Sequence, residues 1–126
     1  MDANLENSHK GKTGLRRIRN ALLYSFAGFS AAFRYEDAFR QEVYLAVIMI
    51  PAAFFVPTDG NGKALLVASV LLVLIVELMN SAVEAVVDRI SLDHHLLAKR
   101  AKDIGSAAVF MSLLNVVGVW MLVLFG

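Results

Sequence analysis

Cysteine is absent from the 126 residues, which excludes a disulfide framework and any thiol chemistry. Charge is scarce as well: 18% of residues are charged, against about 25% in an ordinary soluble domain. There is no usable phosphate-binding P-loop. Gly11-Lys12-Thr13 matches the end of one, but Glu6 stands at its first glycine position and no strand pattern precedes it. His94 and His95 are adjacent, so their side chains diverge and do not suggest a zinc site. Asp59-Gly-Asn-Gly62 opens like a calcium loop, but Lys63 and Ala64 stand where a further ligand and glycine belong, and that reading is rejected. No internal repeat and no cleavable signal peptide are expected, because the first fourteen residues are polar.

What the chain does have is apolar length. Hydrophobic residues make up 58% of it, where roughly 45–50% is usual, and they are gathered into segments of membrane-spanning size. The net charge of +1 hides an asymmetry: seven of twelve Lys and Arg lie between Lys10 and Arg40, four between Arg89 and Lys102, and only Lys63 elsewhere. The positive-inside rule explains this pattern without a nucleic-acid partner. It puts the N-terminus and the 88–103 connection in the cytoplasm, with the C-terminus outside.

Residues 1–14 read as a mobile polar tail. Over 15–34, Leu15, Ile18, Leu22, Phe26, Phe29 and Phe33 recur at steps of three or four, with Arg16, Arg17, Arg19 and Asn20 on the other sides. That is an amphipathic helix suited to the membrane interface. Three spans follow, at 38–57, 64–87 and 104–125. The first contains Pro51 and reaches about 30 Å only if Arg40 and Glu42 sit at the interface. The third is free of charge, with Trp120 near its far end as an interfacial anchor. The expectation is a single all-α membrane domain over 1–126.

The second span ends in a polar stripe, Glu77-Leu-Met-Asn80-Ser81-Ala-Val-Glu84-Ala-Val-Val-Asp88. At about 100° per residue, positions 77, 80, 84 and 88 fall within roughly 80° of one another. An ionisable group inside the bilayer costs about 2.5–3.5 kcal/mol and marks a functional site by default. Counted from Ala64 at 1.5 Å per residue, Glu77, Glu84 and Asp88 lie about 20, 30 and 36 Å along, against about 30 Å of hydrocarbon. Glu77 is thus inside the membrane on its cytoplasmic side, where a desolvated carboxylate is an effective proton acceptor. Glu84, nearer water, suits a hard cation such as Mg²⁺. Such a gradient fits a reaction joining a membrane-dissolved hydroxyl to a water-soluble charged substrate. Two further clusters stand out. Glu36, Asp37 and Glu42 precede the first span and offer metal ligands or helix caps. Lys99, Arg100 and Lys102 to Ser106 offer a phosphate-binding lysine and a glycine for close backbone approach, or a positive flank.

The Glu77–Arg89 pattern, with Ala98-x-x-Ala101-Lys-Asp-x-Gly-Ser-Ala-Ala-Val109 and Ala38-Phe-Arg-Gln-Glu42, closely resembles the prokaryotic integral-membrane diacylglycerol kinase family over about residues 14–125. The resemblance implies a homotrimer of three-span subunits with a surface amphipathic helix and active sites shared between subunits. It implies Glu77 as the general base and Glu36 and Glu84 as Mg²⁺ ligands against ATP. Arg17, Tyr24, Lys102 and Asp103 would position the nucleotide, and Asp93, His94 and His95 would form the adenosine loop, where Asp93 and His94 depart from the family's pattern. Ser25, Arg40, Glu42, Asn80 and Ser106 would contact the lipid or support Glu77. Asn20 also departs from the pattern, which holds a basic residue near that position. The reaction implied is ATP- and Mg²⁺-dependent conversion of diacylglycerol to phosphatidic acid in the bacterial inner membrane.

Three other readings compete. Undecaprenol kinases share the polar helix. A small proton-coupled transporter would use Glu77 as its carrier acid, leaving Glu36, Glu84 and Lys102 without a task. An inactive oligomer would use Glu77, Asn80 and Glu84 as interhelical polar glue, with Ser81, Ala82 and Ala85 permitting close approach.

Overall fold

The computed structural model describes residues 3–90 and 96–126, with side chains of the first helix described from Gly14 onward. The described residues form α1 (Ala3–Tyr35), α2 (Asp37–Phe55), α3 (Gly60–Ile90) and α4 (Leu96–Phe125). The chain divides into two units, Met1–Tyr35 and Glu36–Gly126.

The first unit is α1. Its apolar face is open: Leu15, Ile18, Leu22, Phe26 and Phe29 are all exposed. The helix begins at Ala3, within the segment read from the sequence as a tail.

In the second unit, α3 packs against both α2 and α4. All three helices are long and apolar enough to cross a membrane. The 19 residues of α2 run continuously through Pro51 and cover about 28 Å, close to one hydrocarbon thickness. With 31 and 30 residues, α3 and α4 reach about 45 Å and must project beyond it. The segment expected as a polar connection over 88–103 is therefore mostly helix, with only residues 91–95 undescribed. Its sequence explains this: there is no Gly or Pro between Asp88 and Ile104, and Lys99 pairs with Asp103 one turn on, Nζ to Oδ2 at 2.8 Å. Charge ends the apolar span without ending the helix.

The other connection is tight. Pro57 follows the end of α2, and Asp59 caps α3 by accepting a hydrogen bond from the Gly62 N–H at Oδ1, 2.8 Å. Asp59 thus serves as a cap.

The α3 core stripe is Gly62, Leu66, Ser69, Val70, Val73 and Glu77, and α2 presents Phe39, Ala46 and Ala53 at steps of seven. Small residues let backbones approach where lipid supplies no hydrophobic drive and packing dominates. The buried hydroxyls are satisfied locally: Ser69 Oγ donates to the Leu66 carbonyl at 2.8 Å and Ser112 Oγ to the Val109 carbonyl at 2.7 Å. Trp120, expected as an interfacial anchor, instead has its indole Nε1 covered and without a hydrogen-bond partner. Ala53 has no exposed surface. Ala53→Leu should therefore overpack this seam and cost about 1–3 kcal/mol. Thermal unfolding in detergent micelles checks it, and Ala52→Leu, at an exposed position one residue away, should shift stability by no more than about 0.5 kcal/mol.

Candidate active site

Glu77 is the one carboxylate in the buried stripe of α3, only 6% exposed. Heptad-like spacing carries it there: it lies seven residues after Val70 and four after Val73, on the face that packs inward. Three other acids act on it. The Glu42 carboxyl, from the second turn of α2, meets Glu77 within hydrogen-bonding reach, and Glu84 and Glu36 lie close enough for their charges to be felt. One oxygen of Glu42, Oε2, is buried with no partner. Glu42 therefore sits beside Glu77 at the α2–α3 contact; position in the sequence grouped it with Glu36 and Asp37, and the resemblance set it among the residues contacting the lipid or supporting Glu77.

Glu36 occupies the N-cap position of α2, yet its side chain makes no capping hydrogen bond. Asp37 is taken up by Arg40 one turn later. Capping, the bland alternative for the acidic group, thus does not use the Glu36 carboxylate.

Further along α3, Asn80 Nδ2 donates to Glu84 Oε1 at 3.5 Å, and Asn80 Oδ1 is buried without a donor. Lys102, on α4, reaches back to α3: its Nζ lies 2.6 Å from Asp88 Oδ1, and Glu84 also acts on it. Lys102 and Asp103 do not point together. One residue turns the helix by about 100°, so Lys102 faces α3 while Asp103 pairs with Lys99 on the exposed side. Ser106 is exposed on α4.

Asp88 was recognisable as the last member of the polar stripe, but its partner was not. Which residue of α4 lies opposite depends on the register of two helices, which periodicity within one helix does not carry. Gly105 does permit a close approach, but to Asn80: a Cβ there would collide with the Asn80 amide, lying 3.3 Å from its Cγ.

On α1, Arg17, Asn20, Ala21 and Tyr24 line a shallow hollow of about 380 Å³ on one helix face. Ser25 Oγ donates to the Ala21 carbonyl at 2.8 Å. All of these belong to the first unit. Asp93, His94 and His95 lie outside the described residues.

Among the described residues, no group of three or more Asp, Glu or His side chains is placed to hold a metal ion. Mg²⁺ bound with a nucleotide needs less than that: one or two carboxylates, with phosphate oxygens and water completing the shell. Glu36 and Glu84 supply hard, acceptor-only oxygens of that kind, and Glu36 is not spent on capping. The donor set fits.

The architecture is thus an all-helical membrane protein with three helices able to span, and acids and a lysine gathered on α3 and its neighbours. Comparison with known proteins narrows it. The family described as prokaryotic diacylglycerol kinase matches residues 23–124. A diacylglycerol kinase of Pseudomonas aeruginosa is 56% identical over 117 residues, covering 93% of this chain and 95% of the relative. Those of Haemophilus influenzae and Escherichia coli are 50% and 46% identical, covering 90% and 89% of this chain and 96% and 92% of theirs. The chain belongs to the prokaryotic diacylglycerol kinase family, a family of lipid kinases of bacterial membranes. That membership sets aside the transporter and the inactive oligomer.

Proposed function

We propose that the chain phosphorylates diacylglycerol with ATP and Mg²⁺, yielding phosphatidic acid at the cytoplasmic face of the bacterial inner membrane. The observation that carries this reading is Glu77, a carboxylate buried in α3, a helix long and apolar enough to span, on the face that also holds Asn80, Glu84 and Asp88. An acid so placed can meet a hydroxyl dissolved in lipid, while the polar end of the same helix meets a soluble nucleotide.

In the proposed reaction the Glu77 carboxylate accepts the proton of the lipid's primary hydroxyl. The freed oxygen forms a bond to the γ-phosphorus in line with the bridging oxygen, that bridge breaks, and ADP leaves. Positioning and charge neutralisation supply most of the acceleration. Mg²⁺, held by Glu36 and Glu84, would neutralise charge on the phosphate oxygens. Lys102 places a point charge on the phosphates, exchanging Asp88 for them, and Asp103, Arg17 and Tyr24 orient the nucleotide. Asp93, His94 and His95 take the adenosine end. Asn80, Glu42, Ser25, Arg40 and Ser106 contact the lipid or hold Glu77.

The active unit in this reading is a single 1–126 domain acting as a homotrimer with sites shared between subunits, α1 lying in the membrane interface. Exposed apolar residues along α3, among them Ile75, Met79 and Val86, are consistent with further helix contacts. The basic flanks support a cytoplasmic N-terminus and 88–103 segment, with the C-terminus outside.

Undecaprenol also offers a primary hydroxyl, and the names of the relatives favour diacylglycerol. Purified protein in mixed micelles, given Mg-ATP labelled at the γ-phosphate and either lipid, tests the choice. Label on diacylglycerol is expected. Label on undecaprenol alone would replace the substrate, and label on neither would sink the kinase reading.

A further inference from the structure

The α3–α4 seam holds a contact that the reaction scheme leaves unexplained. Asn80, Glu84 and Asp88 follow one another at steps of four on α3, and Lys102 and Gly105 lie three apart on α4, so both sets form single rows. The rows meet at two points: Lys102 against Asp88, and Gly105 against Asn80. At the second point a Cβ at position 105 would strike the Asn80 amide oxygen.

The amide is consequently fixed at both ends. Its oxygen is buried under Gly105 with no donor, and its nitrogen reaches Glu84 Oε1 at 3.5 Å. Rotating the amide by half a turn would set its oxygen against a carboxylate oxygen, two acceptors facing each other. A 3.5 Å contact is too long to be strong on its own. Shape therefore adds to the hydrogen bond, and that shape is set by the bare backbone of Gly105. Gly118, on the same helix, has open space around it, so tight approach is not general along α4.

We propose that Gly105 is a positioning residue: by lacking a Cβ it lets α4 press the Asn80 amide into place, and Asn80 in turn fixes the Glu84 carboxylate for the metal–nucleotide complex. This rests on the proposed role of Glu84 as a metal ligand.

The test uses the full chain in detergent micelles with Mn²⁺ as a spectroscopic probe and a non-hydrolysable ATP analogue, affinity being read by electron paramagnetic resonance. Gly105→Ala should weaken Mn²⁺ binding about tenfold. Gly118→Ala should bind as the unaltered chain does. Asn80→Ala should weaken binding by a similar factor, and the Asn80→Ala/Gly105→Ala double variant should be no weaker than Asn80→Ala, because both act through one contact. Unchanged affinity in Gly105→Ala, or losses that multiply in the double variant, would overturn the proposal. If Gly105→Ala fails to fold, Asn80→Ala decides: a tenfold loss supports the proposal and full affinity defeats it. An unaltered chain that binds Mn²⁺ and nucleotide but transfers no phosphate would overturn the kinase reading and leave the positioning intact. An unaltered chain that binds no Mn²⁺ would overturn the Glu84 ligand role and this proposal with it.

Discussion

Glu77→Gln is expected to lower phosphate transfer by about two to four orders of magnitude, the usual contribution of a positioned general base. Glutamine keeps the length, planarity and hydrogen-bonding reach of glutamate but cannot take a proton at neutral pH. The variant should fold, because Glu77 sits in a packed stripe between Val73 and the following turn, and the replacement fills the same volume. It also removes a charge opposed by those of Glu84 and Glu36, which offsets the loss of the carboxylate's contact with Glu42. Nucleotide binding should survive, since the proposed nucleotide groups on α1, at the start of α2, further along α3 and on α4 are all left in place. Turnover at saturating lipid and ATP, with nucleotide affinity measured separately, checks this. Full turnover in Glu77→Gln would mean that the proton goes elsewhere, and loss of both turnover and nucleotide binding would point to a structural role.

Glu84→Gln should act on a different axis. A carboxylate ligand to Mg²⁺ contributes charge that an amide lacks, so the Mg²⁺ concentration for half-maximal transfer should rise by about tenfold or more. Rate should recover substantially at high Mg²⁺. Glu36→Gln should behave likewise. Because Asn80 Nδ2 donates to Glu84 Oε1, the amide variant also faces a new problem: a glutamine turned with its NH₂ toward Asn80 sets two donors together. Titration of Mg²⁺ at fixed ATP separates this from a loss of catalysis. A metal requirement identical to that of the unaltered chain would remove Glu84 from the ligand set.

The two expected phenotypes differ because the two acids lie two turns apart along α3, and that separation was readable from sequence. A run of apolar residues followed by acids at steps of three and four gives both the helix face and the distance along it. The three spans were equally plain, since a chain that is 58% apolar with its charges at segment ends has few other options. Helix ends were not plain. Hydropathy reports where the bilayer stops, and α3 and α4 continue past it to Ile90 and from Leu96 because nothing in that stretch breaks a helix.

Contacts between helices were also hidden. Glu42 beside Glu77, Lys102 against Asp88 and Gly105 under Asn80 all depend on the rotation and offset of one helix against another. Periodicity fixes which residues share a face but leaves open what that face meets. The covered indole nitrogen of Trp120 is a case of the same kind: an aromatic near a span end was read as an anchor, and packing covers its N–H.

The most direct test of phosphoryl transfer to lipid is its stoichiometry in sealed proteoliposomes. The purified chain, given diacylglycerol, Mg²⁺ and ATP labelled at the γ-phosphate, should form one labelled phosphatidic acid for each ADP released, and neither product should appear when lipid or Mg²⁺ is withheld. ADP released without labelled lipid, or proton flux across the vesicle membrane with no use of ATP, would contradict it.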